Sequence, residues 1–405
     1  MSGGRQGREP GRHGGRPAAR RPGGADRHRT GGGRAGSGGG GGGRGRAGGG
    51  SPAPTGPKAT TVELTFLPGL ADVLAAEVAE ALAPAKPPVA VAGRDDALVL
   101  RHTGPLADVL RLRTAVAAFV SLHFDVPRPK SLTSGDHLAR IVAAVYDSLR
   151  AGGSSSFRFE AAGSDSAAFA RLAEGIRAAT GLQHDEKDGQ LVVRVRRGTG
   201  GTSRTVDPGW DVLVRVGPRP LSARTWRVAD YPGAVNATIA AAMVRLGGVA
   251  PTDRVLNLMC GSGTLLVERL LAAPAAAAVG VDNAADALAA AAANLDAASL
   301  TRRVTLVEAD ALTAPVDGGP FDVVYADPPW GTLHGSHSTA ADVHAGLLRA
   351  AHRVTADGGT LVVLTHEITV MERCLREADA LWTPRDTVRV FAKGHHPRVY
   401  VLSKR

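Results

Sequence analysis

The chain is poor in cysteine, in aromatic residues and in long apolar runs. It has 405 residues but only two cysteines, Cys260 and Cys374, which argues against a disulfide framework and favours a reducing compartment such as the cytoplasm. No stretch offers about 18 consecutive uncharged apolar residues, so we expect no membrane span and no membrane partner. The N-terminus has arginines but no apolar segment after them, which argues against a secretory signal.

The net charge of +10 lies in one glycine-rich segment. Residues 1–60 contain eleven arginines and Lys58 against two acidic residues, and they hold 23 of the 52 glycines. The rest of the chain has 36 basic and 36 acidic residues. Because such a segment buries little apolar surface, we predict a disordered tail over 1–60. Either it is a by-product of base composition or of a misassigned start, or it adds non-specific RNA affinity.

The remaining chain predicts three folded regions. Residues 61–130 mix short strands and helices, and prolines 127 and 129 mark a break. Residues 131–228 combine two amphipathic helices with strands in which apolar residues alternate with arginine. From 229 to 405, strands and helices alternate, which predicts a parallel sheet with right-handed crossovers. Two strands joined by a short loop predict an antiparallel hairpin at the end.

The first chemical motif is Asn257-Leu-Met-Cys-Gly-Ser-Gly-Thr264, between a predicted strand and a predicted helix. Gly261 and Gly263 permit positive φ and a close approach of the backbone to a ligand. The N–H groups of the helix that follows suit a polar or anionic ligand. Leu266 stands where a dinucleotide fingerprint needs its third glycine, and there is no Gly-Lys-Ser/Thr sequence, so the motif is neither an NAD loop nor a P-loop.

Two acidic residues follow the next two predicted strands. Asp282 ends the second strand, where a carboxylate is placed to bind ribose hydroxyls, although it could instead cap the next helix. Asp310 follows the third strand, where it could meet an adenine amino group or cap a turn.

The second motif, Asp327-Pro-Pro-Trp-Gly331, follows the fourth strand. Its prolines fix φ and remove two N–H donors, which makes a stiff, open strand end at the edge where such sheets bind ligands. It offers a carboxylate, free carbonyl oxygens and an aromatic face, which are the groups that a planar ring with an exocyclic amino group requires. A rigid turn with a packed tryptophan is the alternative, and the preceding glycine loop favours the ligand site.

Together the motifs resemble those of Rossmann-fold S-adenosylmethionine-dependent amino-methyltransferases. Residues 231–244 are similar to the helix before the glycine loop in RNA guanine-N2 methyltransferases. The resemblance covers about 61–405 and is strongest in 231–331. It implies an α/β methyltransferase domain over 229–405, with a seven-stranded, mostly parallel sheet and an antiparallel last strand. It also implies a ferredoxin-like N-terminal domain over 61–130 and a THUMP-like RNA-binding domain over 131–228, which together form an α+β region.

The resemblance implies S-adenosylmethionine as cofactor. The target amino group and its base would be bound by Asp327, Pro328, Pro329 and Trp330. The cofactor would be bound by Asn257, Cys260, Gly261, Gly263, Thr264, Asp282 and Asp310. Two residues depart from the family pattern, since Asp is common at the position of Asn257 and Tyr at that of Trp330.

The expected activity is methyl transfer to an exocyclic amino nitrogen of RNA, with guanine N2 in tRNA favoured. Guanine N2 in rRNA and a protein glutamine are alternative targets. A non-catalytic RNA-binding module with a degenerate cofactor site is a further alternative, supported only by Asn257. RNA is the expected partner, and no obligate protein partner is inferred.

Other candidate groups lie outside the two motifs. His334, His337 and His344 have no cysteine or acidic cluster at ligand spacing, which argues against a metal site. Cys260 is expected to be a small packing residue and not a nucleophile. A basic stretch could be a solvated strand face or a phosphate-contacting surface. Its members are Arg194, Arg196, Arg197, Arg204, Arg215, Arg219, Arg224 and Arg227.

Overall fold

The computed structural model describes residues 59–84, 86–199, 207–329, 337–392 and 394–405. Of the predicted tail, residues 1–58 lie outside this set. The described chain forms two sheets, each accompanied by helices.

The N-terminal sheet has eight strands in the order β2-β3-β1-β4-β8-β7-β5-β6. Its strands are β1 (Thr60–Thr65), β2 (Val89–Ala90), β3 (Ala97–His102), β4 (Ala117–Phe124), β5 (Ser156–Glu160), β6 (Gln183–His184), β7 (Leu191–Arg197) and β8 (Trp210–Arg215). Its helices are α1 (Ala71–Leu82), α2 (Gly135–Gly152) and α3 (Ala167–Thr180), with 3₁₀ turns at Leu106–Arg111 and Pro129–Thr133. Strand β5 runs parallel to β6 and β7, and the other pairs are antiparallel.

Both predicted N-terminal regions contribute to this single sheet. Strand β4, from 61–130, pairs antiparallel with β8, from 131–228, over six residue pairs that run from Phe119↔Arg215 to Phe124↔Trp210. Backbone hydrogen bonds thus continue across the proposed boundary at 130, and that boundary stays a prediction.

The C-terminal sheet has seven strands in the order β11-β10-β9-β12-β13-β15-β14. Its strands are β9 (Arg254–Leu258), β10 (Ala277–Asp282), β11 (Thr305–Glu308), β12 (Phe321–Ala326), β13 (Thr355–Thr365), β14 (Trp382–Arg389) and β15 (Arg398–Lys404). Its helices are α4 (Ala237–Gly247), α5 (Thr264–Ala272), α6 (Ala285–Ala297), α7 (His337–Val354) and α8 (Ile368–Glu377), with a 3₁₀ turn at Thr301–Arg303.

Five neighbouring strands of this sheet are parallel, and the last strand, β15, is antiparallel to both of its neighbours. Residues 255–258 of β9 are all buried, as expected for a parallel strand covered on both faces. The predicted α/β architecture with an antiparallel last strand is therefore confirmed.

Helix α4 connects the two parts of the molecule. Asn236 caps it by accepting a hydrogen bond from the Thr238 N–H at 2.8 Å. Its buried Ile239 belongs to the same apolar cluster as Leu74 of α1 and Val362 of β13. The N-terminal helices and the C-terminal sheet therefore share one core.

A buried carboxylate forms a second connection. The Glu268 side chain on α5 is fully buried and accepts hydrogen bonds from Arg113 at 2.7 Å and Arg224 at 2.8 Å. Arg113 precedes β4, and Arg224 lies in the segment between β8 and α4.

Within the described ranges, no helix is both long and apolar enough to cross a membrane.

Candidate functional site

The two sequence motifs meet at the carboxyl edge of the C-terminal sheet. Neighbouring strands β10, β9 and β12 are parallel, so the segments that follow them emerge side by side. A cavity of about 430 Å³ opens there. Eight of the residues predicted for the site line it: Cys260, Gly261, Thr264, Asp282, Asp310, Asp327, Pro328 and Pro329. Open α/β sheets bind ligands at this edge.

The loop after β9 depends on its glycines. Gly261 has φ +52° and Gly263 has φ +73°, a region that favours glycine. At Gly263 a Cβ would lie 3.1 Å from the Cβ of Ala291, so this position also lets α6 approach closely. Gly263 does not itself line the cavity; it begins α5, whose first residue, Thr264, does.

Asp282, at the end of β10, is hydrogen-bonded to the glycine loop that follows β9. Its Oδ2 accepts the Gly261 N–H at 2.8 Å, and its Oδ1 accepts the Ala284 N–H at 3.0 Å. The carboxylate therefore orders the loop and the start of α6, and it also borders the cavity. Asp282 is not itself the N-cap of α6, because that position is Ala284, and ribose binding by Asp282 stays a prediction.

Asp310 orders the turn after β11. It accepts hydrogen bonds from the Leu312 N–H and the Thr313 hydroxyl, each at 2.9 Å. It lines the cavity as well, so turn capping does not remove it from the site.

Asn257 lies apart from the cavity and bridges two strands. It is fully buried, and its Nδ2 donates to the carbonyl oxygens of Leu258 and Tyr325, each at 3.2 Å. A carboxylate could not donate to these acceptors. Tyr325 lies two residues before Asp327, so Asn257 connects the strand of the first motif to that of the second.

Asp327 has the most unusual environment in the site. The residue as a whole is half-buried, but its Oδ1 is shielded from solvent and has no hydrogen-bond partner among the described residues. Burial raises the pKa of this carboxyl to about 7. A carboxyl of this kind in a cleft is typical of a functional group. Trp330, predicted as a stacking platform, lies outside the described residues.

One segment that lines the cavity was not predicted from the sequence to belong to the site. Residues Tyr231–Val235, between β8 and α4, line it together with the glycine loop. Burial and the carboxylates of Asp286 and Asp282 raise the pKa of Tyr231. The only sequence signal for this segment was the similarity of residues 231–244 to the methyltransferase family.

A larger cleft lies away from this chemistry. It measures about 740 Å³ between α1, the end of α4 and β14, and it contains neither motif. We place the candidate site in the smaller cavity because the unpartnered carboxyl and the glycine loop are there.

The described part of the chain also shows the environments of Cys260 and of one of the three candidate histidines, His344. Burial raises the pKa of the Cys260 thiol, so the sulfur stays protonated and unreactive. No group of three metal-ligating side chains is found there. His344 is buried between the Ala340 carbonyl and the Thr365 hydroxyl, at 2.8 Å from each, and burial lowers its pKa. His334 and the side chain of His337 lie outside the described set.

Most of the predicted basic stretch is engaged within the chain. Arg194, Arg196 and Arg197 form ion pairs with Glu160, Glu63 and Asp207, respectively. The others that have partners are Arg215, Arg224 and Arg227, whereas Arg204 is outside the described residues. These contacts engage six of the eight arginines within the chain, and the choice between a solvated strand face and a phosphate-contacting surface stays a prediction.

Known proteins share this architecture. Residues 224–398 match the family described as UPF0020, RMKL-like, methyltransferase domain. The tRNA (guanine(6)-N(2))-methyltransferase THUMP3 of Bos taurus is 28% identical over 187 residues, which are 43% of this chain and 37% of that protein. The tRNA (guanine(6)-N2)-methyltransferase of Thermus thermophilus is 28% identical over 234 residues, 58% of this chain and 66% of that protein.

A solved structure matches over nearly the whole described chain. TrmN from Thermus thermophilus superposes with a TM-score of 0.66 at 25% identity, covering 85% of this chain and 100% of that one. This chain spans about a third of the length of the mammalian tRNA methyltransferases that it matches. The predicted resemblance is confirmed, and residues 224–398 match a methyltransferase-domain family.

Proposed function

We propose that the protein transfers a methyl group from S-adenosylmethionine to guanine N2 in RNA, with tRNA as its substrate. The observation that carries this proposal is the buried, unpartnered Oδ1 of Asp327 beside the glycine loop. Such an acceptor suits an amino group that arrives with a substrate.

The described residues fit a nucleoside-type cofactor. Gly261 has open space where a side chain would stand, and Asp282 presents a carboxylate at the end of β10, where ribose hydroxyls bind in this architecture. The cavity of about 430 Å³ is of the size that small-molecule sites have. When bound, S-adenosylmethionine supplies an electrophilic methyl group on its sulfonium.

Asp327 and Pro328 would prepare the amino group for attack. The guanine amino nitrogen is a poor nucleophile because its lone pair is delocalised into the ring. Hydrogen bonds from its two hydrogens to Oδ1 of Asp327 and to the Pro328 carbonyl oxygen would favour a pyramidal nitrogen whose lone pair points at the methyl group. As the nitrogen gains a methyl group it loses one proton, and Asp327, with a pKa of about 7, is suited to accept it.

The rest of the rate enhancement would come from positioning. A paired guanine must first leave its helix, at a cost of a few kcal/mol. Stacking on Trp330, worth about 1–3 kcal/mol, remains our prediction for offsetting this cost.

The N-terminal region is proposed to bind the RNA. The similarity to tRNA guanine-N2 methyltransferases supports a THUMP-like role for residues 131–228 and tRNA as the substrate. We also propose that the protein acts in the cytoplasm without an obligate protein partner; its two cysteines are both free, which suits a reducing compartment.

The alternative of a non-catalytic module loses its support. It rested on Asn257, whose amide makes two hydrogen bonds that the common aspartate could not make. These hydrogen bonds give a structural explanation for asparagine at position 257 that does not involve a degenerate site. Guanine N2 in rRNA and a protein glutamine remain as alternative targets.

Labelled methyl transfer onto separated RNA classes tests the substrate. RNA from a strain without the gene is divided into tRNA, rRNA and other small RNA, incubated with the protein and labelled S-adenosylmethionine, and digested to nucleosides for mass spectrometry. We expect N2-methylguanosine in the tRNA fraction. Label in rRNA alone would move the proposal to that substrate, and label in protein alone would refute an RNA substrate.

A further inference from the structure

The segment Arg227–Val235, here called the strap, is hydrogen-bonded to the glycine loop and to the start of α5. It enters the C-terminal part of the chain before α4 and contributes Tyr231–Val235 to the cavity wall. At its start, the Arg227 guanidinium donates to the Val235 carbonyl at 2.7 Å and to the Thr264 hydroxyl at 2.8 Å. Arg227 therefore closes the two ends of the strap on each other and attaches them to the first residue of α5.

Asn294 makes the second attachment with a single buried amide. Its Oδ1 accepts the N–H groups of Val228 and Ala229 at 2.9 and 3.0 Å. Its Nδ2 donates to the Ala229 carbonyl at 3.0 Å and to the Ser262 carbonyl at 3.1 Å. Asn294 is fully buried, and its hydrogen bond to the Ser262 carbonyl is buried, whereas its three hydrogen bonds to Val228 and Ala229 are partly buried.

Only an amide of this length satisfies these partners. Two N–H donors face its oxygen and two carbonyl acceptors face its nitrogen, which uses its full donor capacity. An aspartate would lose both donors and place a charge against two carbonyl oxygens. A leucine would leave four backbone groups without their partner, and the cost is greatest at the buried Ser262 carbonyl.

We propose that Asn294 is a positioning residue that holds the strap against the glycine loop and thereby keeps the cofactor pocket formed. It acts through Ser262 in the loop and through Ala229 in the strap, and it does not line the cavity itself. This inference rests on the proposed function for the identity of the ligand. The position of the strap, however, can be measured without any ligand.

The test compares Asn294→Asp with a matched control, Asn236→Asp. Asn236 caps α4 and only accepts a hydrogen bond, so an aspartate preserves its contact. S-adenosylhomocysteine binding is measured by calorimetry, and hydrogen exchange is followed in the peptide containing Val228 and Ala229. For Asn294→Asp we expect affinity to fall about 10-fold or more, because buried carbonyl acceptors lose their donors. Exchange should be faster, whereas the control should behave as the wild type does.

Two further readings separate positioning from general stability. RNA affinity measured without cofactor should stay within about twofold of wild type, and the KM for S-adenosylmethionine should rise with little change in kcat. If Asn294→Asp does not fold, Ala229→Pro removes one strap donor and leaves Asn294 intact. It should raise the same KM.

The outcomes distinguish this inference from the proposed function. A wild-type protein that does not bind S-adenosylhomocysteine contradicts the proposed function, and the exchange experiment still decides whether Asn294 holds the strap. Wild-type binding together with unchanged affinity and exchange in folded Asn294→Asp overturns the inference alone.

Discussion

Asp327 has one carboxyl oxygen that is kept from water and unpartnered, at a sheet edge that is otherwise rich in hydrogen-bonded polar groups. Asp282 and Asp310 each accept two hydrogen bonds from the chain, whereas Oδ1 of Asp327 accepts none among the described residues. This difference separates the two carboxylates that shape the pocket from the one that is proposed to act on substrate.

The raised pKa of Asp327 predicts a pH-dependent rate. Only the ionised carboxyl accepts both a hydrogen bond and a proton, and its pKa is about 7. At saturating cofactor, kcat/KM for RNA should therefore rise about tenfold per pH unit below that value and level off above it. The variant Asp327→Asn keeps an acceptor but does not titrate, so its reduced rate should not change with pH across the same range. A flat profile for the wild type would contradict the assignment.

At the scale of single residues, the sequence predicts the site residues that belong to short contiguous motifs. The glycine loop and the Asp-Pro-Pro turn are short, contiguous signals whose residues gather at one edge. Asn294 and the strap have no such signal, since Asn294 and Ala229 are 65 residues apart and meet only through packing. The role of Asn257 was likewise hidden, because its acceptor at Tyr325 belongs to a neighbouring strand.

Elements followed from apolar spacing wherever they were long. Gly181 caps the end of α3, and its φ of +76° is the left-handed conformation that glycine allows. The two-residue strands β2 and β6 were missed, because a pair of residues carries no periodicity. The short helix predicted in this part of 61–130 is a 3₁₀ helix over Leu106–Arg111.

A glycine at the start of α1 is predicted to matter for the contact between elements. Gly69 has φ +98°, and a Cβ there would lie 1.8 Å from the carbonyl oxygen of Arg389 at the end of β14. Gly93 also has positive φ, +73°, with open space around it. Gly93→Ala should cost about 1–2 kcal/mol from backbone strain, and Gly69→Ala about 1–3 kcal/mol more. Urea unfolding measures both, and equal costs would show that this close approach is unimportant.

The whole molecule is more continuous than its sequence suggests. The pairing of β4 with β8 joins His123 to Asp211 across 88 residues, and pairings at that separation leave no local pattern. The charge was more informative at this scale, because it separated a basic segment from a balanced remainder. It was less informative over the arginine stretch, because contacts such as that of Arg196 with Glu63, 133 residues away, leave no local pattern.

The buried ion pairs of Glu268 with Arg113 and Arg224 are predicted to stabilise the whole molecule. Glu268→Gln would leave the guanidinium groups of Arg113 and Arg224 without their counter-charge. Breaking such a buried pair costs about 3–5 kcal/mol. Glu174→Gln is the control, because Glu174 pairs with Arg177 at an exposed site, where solvent screens the charges and the loss should be small. Similar unfolding free energies for the two variants would contradict a structural role for the ion pairs of Glu268.

Removing the basic segment tests how far it contributes. A chain that starts at Thr55 keeps all described residues and loses eleven arginines and two acidic residues. We expect kcat to stay within about twofold and RNA affinity to become less sensitive to salt, because fewer phosphates are neutralised. Loss of methyl transfer in a folded truncated chain would show that the segment takes part in catalysis.

The central claim is that Asp327 directs methyl transfer to an RNA amino group. The most direct measurement is N2-methylguanosine formed in tRNA by the wild type and by Asp327→Ala, after calorimetry has shown that both bind S-adenosylhomocysteine. We predict that the wild type forms this nucleoside and that the variant binds the cofactor product but forms none above background. Turnover of Asp327→Ala at the wild-type rate, or no methylated nucleoside from a cofactor-bound wild type, would contradict the claim.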